Sequence, residues 1–151
     1  MVEGKFLRGT DDLTECFKIR HAVFCEEQGK TEEEEFDGLD KQCLHVLIFE
    51  AGENVATGRL YHQDEYYKIG RIAVAKHARG KYYGDFVVRM LVDQAFQLGA
   101  HKVYVGAQVK AIPFYEKIGF KREGNEIYEE ARMPHVTMRI EKKNLCTSCK
   151  K

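Results

Sequence analysis

Two stretches of this 151-residue chain carry the residue types that chemistry needs. The first is Arg79-Gly80-Lys81-Tyr82-Tyr83-Gly84, a basic glycine loop directly before an apolar-periodic segment. A strand, such a loop and a helix together make an anion site. Backbone N–H groups at a helix start lack partners, and the macrodipole favours negative charge there. Gly80 and Gly84 can take positive φ and bring the backbone close to a ligand. Arg79 and Lys81 add charge suited to phosphates. The loop has neither the GKS/T of a Walker loop nor the GxGxxG of a dinucleotide fingerprint, and its local pattern fits a plain turn as well as a phosphate cradle. The second stretch is acidic. Residues 26–40 hold eight acids and one base, Lys30, a net of −7 in a chain whose formal charge is zero. It reads either as a solvated loop or as a lip that gathers a cationic substrate.

The elements around these stretches follow from periodicity. Residues 2–8 form a first strand. Thr10, Asp11 and Asp12 offer N-caps, with Glu15 in capping-box spacing to Asp12. The helix that follows aligns Leu13, Cys16, Phe17 and Phe24, with Arg20 inside the apolar stripe. Leu44–Glu50, Val55–His62 and Tyr67–Ala75 make a meander, turning at Gly52-Glu53-Asn54 and Asp64-Glu65. A helix spans Asp85–Leu98 and stops at Gly99. Lys102–Gly106 is a β-branched strand, and Pro113 opens a short helix over Ile112–Lys117 ended by Gly119. Phe120–Arg122, Ile127–Glu129 and Val136–Glu141 supply the closing strands. The expected order is β-α-β-β-β-α-β-α-β-β, an α/β domain with a mixed sheet.

Bulk properties narrow the class. The length suits one domain, residues 1–143, with a polar tail over 144–151. Lys plus Arg equals Asp plus Glu at 24 each, so nothing draws the chain generally to nucleic acid or anionic membrane. No apolar run approaches the ~20 residues of a membrane helix. The start, MVEGKFLRG, lacks a signal-peptide core, so a cytoplasmic location is expected. Five cysteines, an odd and scattered set, argue against a disulfide framework. Cys146 and Cys149 form a lone CxxC, short of the four ligands of a structural zinc site. Two exposed thiols fit better than a metal-linked partner-binding tail, and no metal is expected.

Four segments together resemble one known family. IGRIAVAKHARGKYYGDFVVRML (69–91) is similar to the coenzyme A motif of the GNAT acetyltransferases, whose loop reads Q/R-x-x-G-x-G/A. AQVKAIPFYEKIGFKREG (107–124) is similar to that family's next motif, A-x-x-FYEKxGF. IRHAVFCEEQ (19–28) and YEEARMPHVTM (128–138) extend the resemblance over nearly the whole chain, toward the small bacterial ElaA-like branch. The resemblance implies a single-domain GNAT fold, a mostly antiparallel central sheet flanked by helices, and acetyl-CoA as donor. It places Ile72, Ala73 and Val74 along the pantetheine arm, with a backbone N–H near Val74 polarising the thioester carbonyl. It places Arg79, Gly80, Lys81, Tyr82, Tyr83, Gly84 and Asp85 around the pyrophosphate, and Gln108, Phe114 and Lys117 beside the coenzyme. Tyr115 matches the tyrosine that protonates the departing thiolate. Two positions depart from the pattern. Tyr82 replaces the first loop glycine, and Asp85 sets a carboxylate beside the phosphates, with Lys81 as a candidate to offset it.

The acceptor implied is a small-molecule primary amine: a polyamine, an aminosugar or an amino-acid derivative. The amine must attack in its neutral form, so a base is needed, and Glu27, His45 and His135 are the candidates. Arg20, Glu27, Arg59 and Arg71 are candidate substrate contacts. The arginines could equally form internal ion pairs with Glu27 or Asp37. Two alternatives stay open. One is an acyl-homoserine-lactone-synthase-like acyltransferase, suggested by Arg20, Val23 and Phe24. The other is a non-catalytic coenzyme-sensing or protein-binding module. Monomer and homodimer are both compatible with the chain.

Overall fold

The computed structural model describes residues 1–146. Cys149 and residues 147–151 of the expected tail therefore lie outside the described residues. The elements are β1 (Val2–Arg8), α1 (Thr14–Arg20), a π-helical turn (His21–Glu27), α2 (Glu32–Glu35), β2 (Cys43–Glu50), β3 (Glu53–Gln63), β4 (Tyr66–Val74), α3 (Tyr83–Gln97), β5 (Lys102–Gln108), α4 (Ile112–Ile118), β6 (Lys121–Arg122), β7 (Tyr128–Glu130) and β8 (Met133–Glu141). One sheet runs β1-β2-β3-β4-β5-β8-β6, with β7 also on β8. Only β4 and β5 pair in parallel. The mixed α/β class is as expected, and the chain closes with three strands where the expected order has two.

The layers follow from side-chain periodicity. In β5, Val103, Val105 and Ala107 alternate inward. In α3, Val87, Val88, Leu91, Val92 and Ala95 form a helical stripe against that same face. The opposite face of the sheet takes α1 and the π turn, with Cys16, Ile19, Val23 and Phe24 packed on Leu47 and Ala73. Among the described residues no helix is long and apolar enough to cross a membrane.

Three local expectations change. Asp12 accepts from the N–H and hydroxyl of Thr14 at 3.0 and 2.6 Å, and Glu15 closes no box. The capping box forms at α2, where Thr31 and Glu34 exchange bonds of 3.0 and 2.8 Å. α3 begins at Tyr83, two residues earlier than expected. α1 continues through a π turn, in which Gln28 N–H reaches five residues back to Val23 O at 3.1 Å. Such widened turns recur at functional sites.

The acidic stretch is solvated in part, with Glu26, Glu27, Glu32 and Glu33 exposed, but Glu35 and Asp40 are folded inward. Glu35 is wholly buried and Arg20 is 1% exposed. Arg20 binds Glu35 at 2.8 Å and Asp40 at 2.7 Å. Lys30 and Arg71 reach Glu35 at 2.9 and 3.1 Å. Arg59 holds Asp37 at 2.6 Å and Asp40 at 3.0 Å. Arg20 also lies between the rings of Phe17 and Phe36, 5.2 and 5.0 Å from their centroids. Charges removed from water are tolerated when several opposite partners surround them, and losing one partner is costly. Replacing Arg20 by Met should cost about 3 kcal/mol, read as a lower urea midpoint. The loop should also be acid-labile. Burial opposes the charge of Asp37 and of Asp40, but their arginine partners outweigh it and hold both below the usual carboxylate range. A carboxyl group with a depressed folded pKa stabilises above its unfolded value of about 3.9 and loses that contribution as pH falls below it. Amide exchange at residues 31–40 should accelerate below about pH 4, ahead of α3.

Candidate active site

The site starts from a break in the sheet. Thr57 faces Ala73 and Arg59 faces Gly70, so Gly58 alone opposes Arg71 and Ile72, and the bulge lies in β4. Arg71 takes φ 53°, the left-handed conformation of a bulge. Gly58 is required opposite it, because a Cβ there would lie 2.5 Å from Val87 Cγ1 and 2.9 Å from Ile72 Cδ1. A bulge bends its strand, and β4 pairs with β5 only at Lys68–Tyr104 and Ile69–Val105. Beyond that point the strands diverge. Ala75 N–H still donates to Val55 O of β3 at 2.8 Å. Backbone groups alternate along a strand, so the N–H and C=O of Val74 face the side that β5 has left. The carbonyl accepts from Arg79 Nε at 3.1 Å. The Val74 N–H points into the gap.

Three cavities lie along β4. A cleft of about 280 Å³ lies between Ile72, Gly106, Gln108, Tyr115, His135 and Gln28. One of about 490 Å³ lies past the end of β4, lined by Val74, Arg79, Gly80, Gly84, Phe114 and Lys117, with no lining residue in common with the cleft. A third, about 520 Å³, adjoins the cleft on the opposite side and shares Lys30, Lys68 and Arg71 with it.

The loop residues divide between these surfaces. Gly80 has φ 84°, and Tyr82, the N-cap of α3, has φ 66° and ψ 17°. Tyr82 thus adopts a glycine-like conformation without being glycine. The first intrahelical bond runs from Phe86 N–H to Tyr82 O at 3.0 Å, which leaves the N–H groups of Tyr83, Gly84 and Asp85 without an intrahelical acceptor. Gly84 is helical, contrary to the positive φ expected. Its role is spatial, since a Cβ there would meet Phe114 and Val74 at 3.5 Å. The Tyr83 side chain is buried and its hydroxyl donates to Glu50. Lys81 lines a separate hollow with Glu53 and His77. Asp85 is held by Arg89 at 2.6 Å, so Arg89, not Lys81, neutralises it. The Ala73 side chain faces the other core, leaving only its backbone toward the gap side of the sheet.

The candidate acid–base groups also separate. Tyr115 is buried with its ring edge-on to Phe114 and Phe120, and burial pushes its phenol pKa up. His135 lines the cleft, and its Nδ1 lies 2.9 Å from Met133 O. A carbonyl only accepts, so in the neutral ring Nδ1 carries the hydrogen and Nε2 carries the lone pair. His45 is 1% exposed with Nε2 on Asp40 O at 2.9 Å, away from the cleft, and burial lowers its pKa. Glu27 is clasped by both Arg79 nitrogens at 2.6 and 2.7 Å, which lowers its pKa. Gln108 donates to Gln28 at 3.2 Å across the cleft. Arg20 is committed to the buried ion network and does not line a cavity. Arg59 and Arg71 line the third cavity with their charges already partnered. Sequence reasoning gave no role to Gln28, Lys68, Gly106, Lys110 and Tyr128, although Gln28, Lys110 and Tyr128 lie within the segments that carry the resemblance. The outward alternation of Lys68, Gly106 and Gln108 on neighbouring strands is the signal that could have found three of them.

Residues 10–120 match the model of the Acetyltransferase (GNAT) family. The chain belongs to the GNAT acetyltransferases. The uncharacterised N-acetyltransferase YjcF of Bacillus subtilis (strain 168) is 31% identical over 131 residues, 87% of this chain and 94% of that protein. Protein ElaA of Escherichia coli (strain K12) is 31% identical over 126 residues, 80% of this chain and 82% of its own. The crystal structure of Escherichia coli ElaA has a TM-score of 0.83 at 30% identity, covering 93% of this chain and all of that one (100%). An acyl-CoA N-acyltransferase from Pseudomonas aeruginosa has a TM-score of 0.81 at 26% identity, covering 93% and 99%. As an ElaA-like GNAT protein the chain is an acyltransferase, with acetyl-CoA as donor.

The residues fit that donor. The α3 N-terminus offers free N–H groups at Tyr83, Gly84 and Asp85 for a pyrophosphate. Arg79 and Lys117 line the same cavity. The gap beside Ile72 and Val74 gives an extended arm a strand edge to follow. Gly84 keeps the passage between Val74 and Phe114 open, so Gly84→Leu should lower coenzyme A affinity by about tenfold or more in calorimetric titration, while the far-UV spectrum stays unchanged.

Proposed function

We propose that this GNAT protein transfers the acetyl group of acetyl-CoA to the primary amine of a small molecule by direct attack on the thioester. The observation that carries the reading is a pair of cavities along one strand: Tyr115 and His135 line the cleft beside Ile72, and Val74 lines the cavity past the end of β4. Acetyl-CoA supplies an electrophilic carbonyl and a sulfur leaving group. The Val74 N–H acts as a fixed dipole for the carbonyl oxygen as charge develops there. His135 Nε2 takes the proton that the amine must lose, and Met133 O keeps the ring in the tautomer that can accept it. Tyr115 stays protonated at neutral pH because burial disfavours the phenolate, and it gives its proton to the departing sulfur. Gln28 and Gln108, bonded across the cleft, close it above the reacting atoms and limit water.

Glu27 does not take the base role in this reading, because its charge is committed to Arg79. Arg20, Val23 and Phe24, the residues that suggested a lactone synthase, lie in the ion network and the second core. A cytosolic setting is supported by Cys16, Cys25 and Cys43, which are free thiols.

Tyr115→Phe should lower kcat by about 100-fold with little change in coenzyme A affinity. His135→Ala should lower kcat by a similar factor, and added imidazole should restore part of it. Thiol release from acetyl-CoA across a panel of amines measures both. Unchanged rates in both variants would remove these residues from the roles assigned.

A further inference from the structure

The acceptor end of the gap is charged in a way that acyl transfer alone does not require. Of the acids of residues 26–40, which could have drawn in a cationic amine, Glu26 and Glu32 flank His21, Glu33 is exposed and lines neither the cleft nor the third cavity, and the other five are paired. Glu35, Asp37 and Asp40 lie in the ion network, Glu34 pairs with Arg132 at 2.8 Å, and Glu27 pairs with Arg79. The cleft itself is lined by Lys30, Lys68, Arg71 and Lys110 against one acid, Glu130. Lys30 and Arg71 are neutralised by Glu35 and Asp37. Lys68 and Lys110 make no ion pair with a described residue.

Lys68 sits where two cavities meet, since it lines both the cleft and the third cavity. Its ammonium stands over Gly106. A Cβ on Gly106 would lie 3.9 Å from Lys68 Nζ and 2.5 Å from Tyr128 Oη. The Tyr128 hydroxyl thus occupies the space that a side chain at Gly106 would take, and the Lys68 ammonium borders it. An ammonium with no ion pair among the described residues, on the wall of two adjoining cavities, makes a subsite for an anionic oxygen. Beyond it the third cavity is walled by Tyr61 and Tyr66, packed edge to face at 6.5 Å, a surface suited to an apolar or ring-shaped body.

We propose that the acceptor is an amine that carries its own anionic group, a carboxylate or a phosphate, which Lys68 holds. The inference rests on the acetyl-transfer reading and narrows its acceptor. The positive lining serves the chemistry a second time. A nearby cation disfavours the ammonium form of the incoming amine and so raises the fraction able to attack. A polyamine would meet like charge without compensation.

The test compares matched acceptors with the wild-type enzyme, read by thiol release: an amino acid against its amide, glucosamine 6-phosphate against glucosamine, and spermidine as polycation. The anionic member of at least one pair should have a kcat/KM about tenfold above its neutral counterpart, and which pair responds separates carboxylate from phosphate. Lys68→Met should erase that advantage through KM, and Lys68→Glu should invert it. Preference for spermidine or for the neutral members overturns the inference and leaves acetyl transfer standing. An advantage that survives Lys68→Met also overturns it. Turnover of none of the amines, with coenzyme A still bound in calorimetry, overturns both.

Discussion

Strands β4 and β5 share two residue pairs and then separate, and every reactive group of the molecule is arranged around the space they leave. A sheet normally satisfies its own backbone, so an open seam in its middle has to be imposed. Here the cause is one extra residue in β4 at Arg71, held opposite a glycine that cannot be enlarged without striking α3. The seam turns the Val74 N–H away from its neighbours and toward a ligand. α3 begins just past the end of β4 and aims its first N–H groups along the same line. α4 closes the other wall with Phe114 and Tyr115. In the proposed reaction, donor binding and carbonyl activation would come from backbone geometry, with side chains adding the proton transfers.

The acceptor side depends on a different device. The π turn packs Val23 and Phe24 into the second core, whereas α2 and the loop after it lack a large apolar interface of their own. They are tied to the sheet by Arg20, Arg59 and Arg71 through Glu35, Asp37 and Asp40. Buried ion pairs contribute little net stability against an apolar alternative, but they are directional. This network sets where Gln28 and Lys30 stand over the cleft. The Glu27–Arg79 bridge then joins the acceptor loop to the phosphate loop. The two halves of the site are therefore mechanically linked by one exposed ion pair.

Much of the architecture was legible before any coordinates. The meander, α3 and the Pro113 helix follow from alternation, helical spacing and turn residues, and the family was recognisable from the segments around the glycine loop. The ion network of the acidic stretch was missed because charge pattern alone does not reveal Arg20 on α1 and Arg59 and Arg71 on distant strands. Gly84 was read through its φ, whereas what matters is the side chain it lacks. Asp85 looked like a blemish until Arg89, one helical turn later, was seen to hold it. Lys68 was invisible because the cavities it lines form only when β4, β5 and the segment of Lys30 come together. The choice among Glu27, His45 and His135 required knowing which backbone carbonyl or arginine each one touches.

The central claim is that the acyl end of the coenzyme lies against the Val74 N–H in the β4–β5 seam. Amide chemical shifts measured during titration with acetyl-CoA test it most directly. The account requires the largest changes at Ile72 and Val74 and at Tyr83 to Asp85, with the Val74 shift differing between acetyl-CoA and free coenzyme A. Binding that perturbs Tyr83 to Asp85 but leaves Ile72 and Val74 unmoved would contradict it.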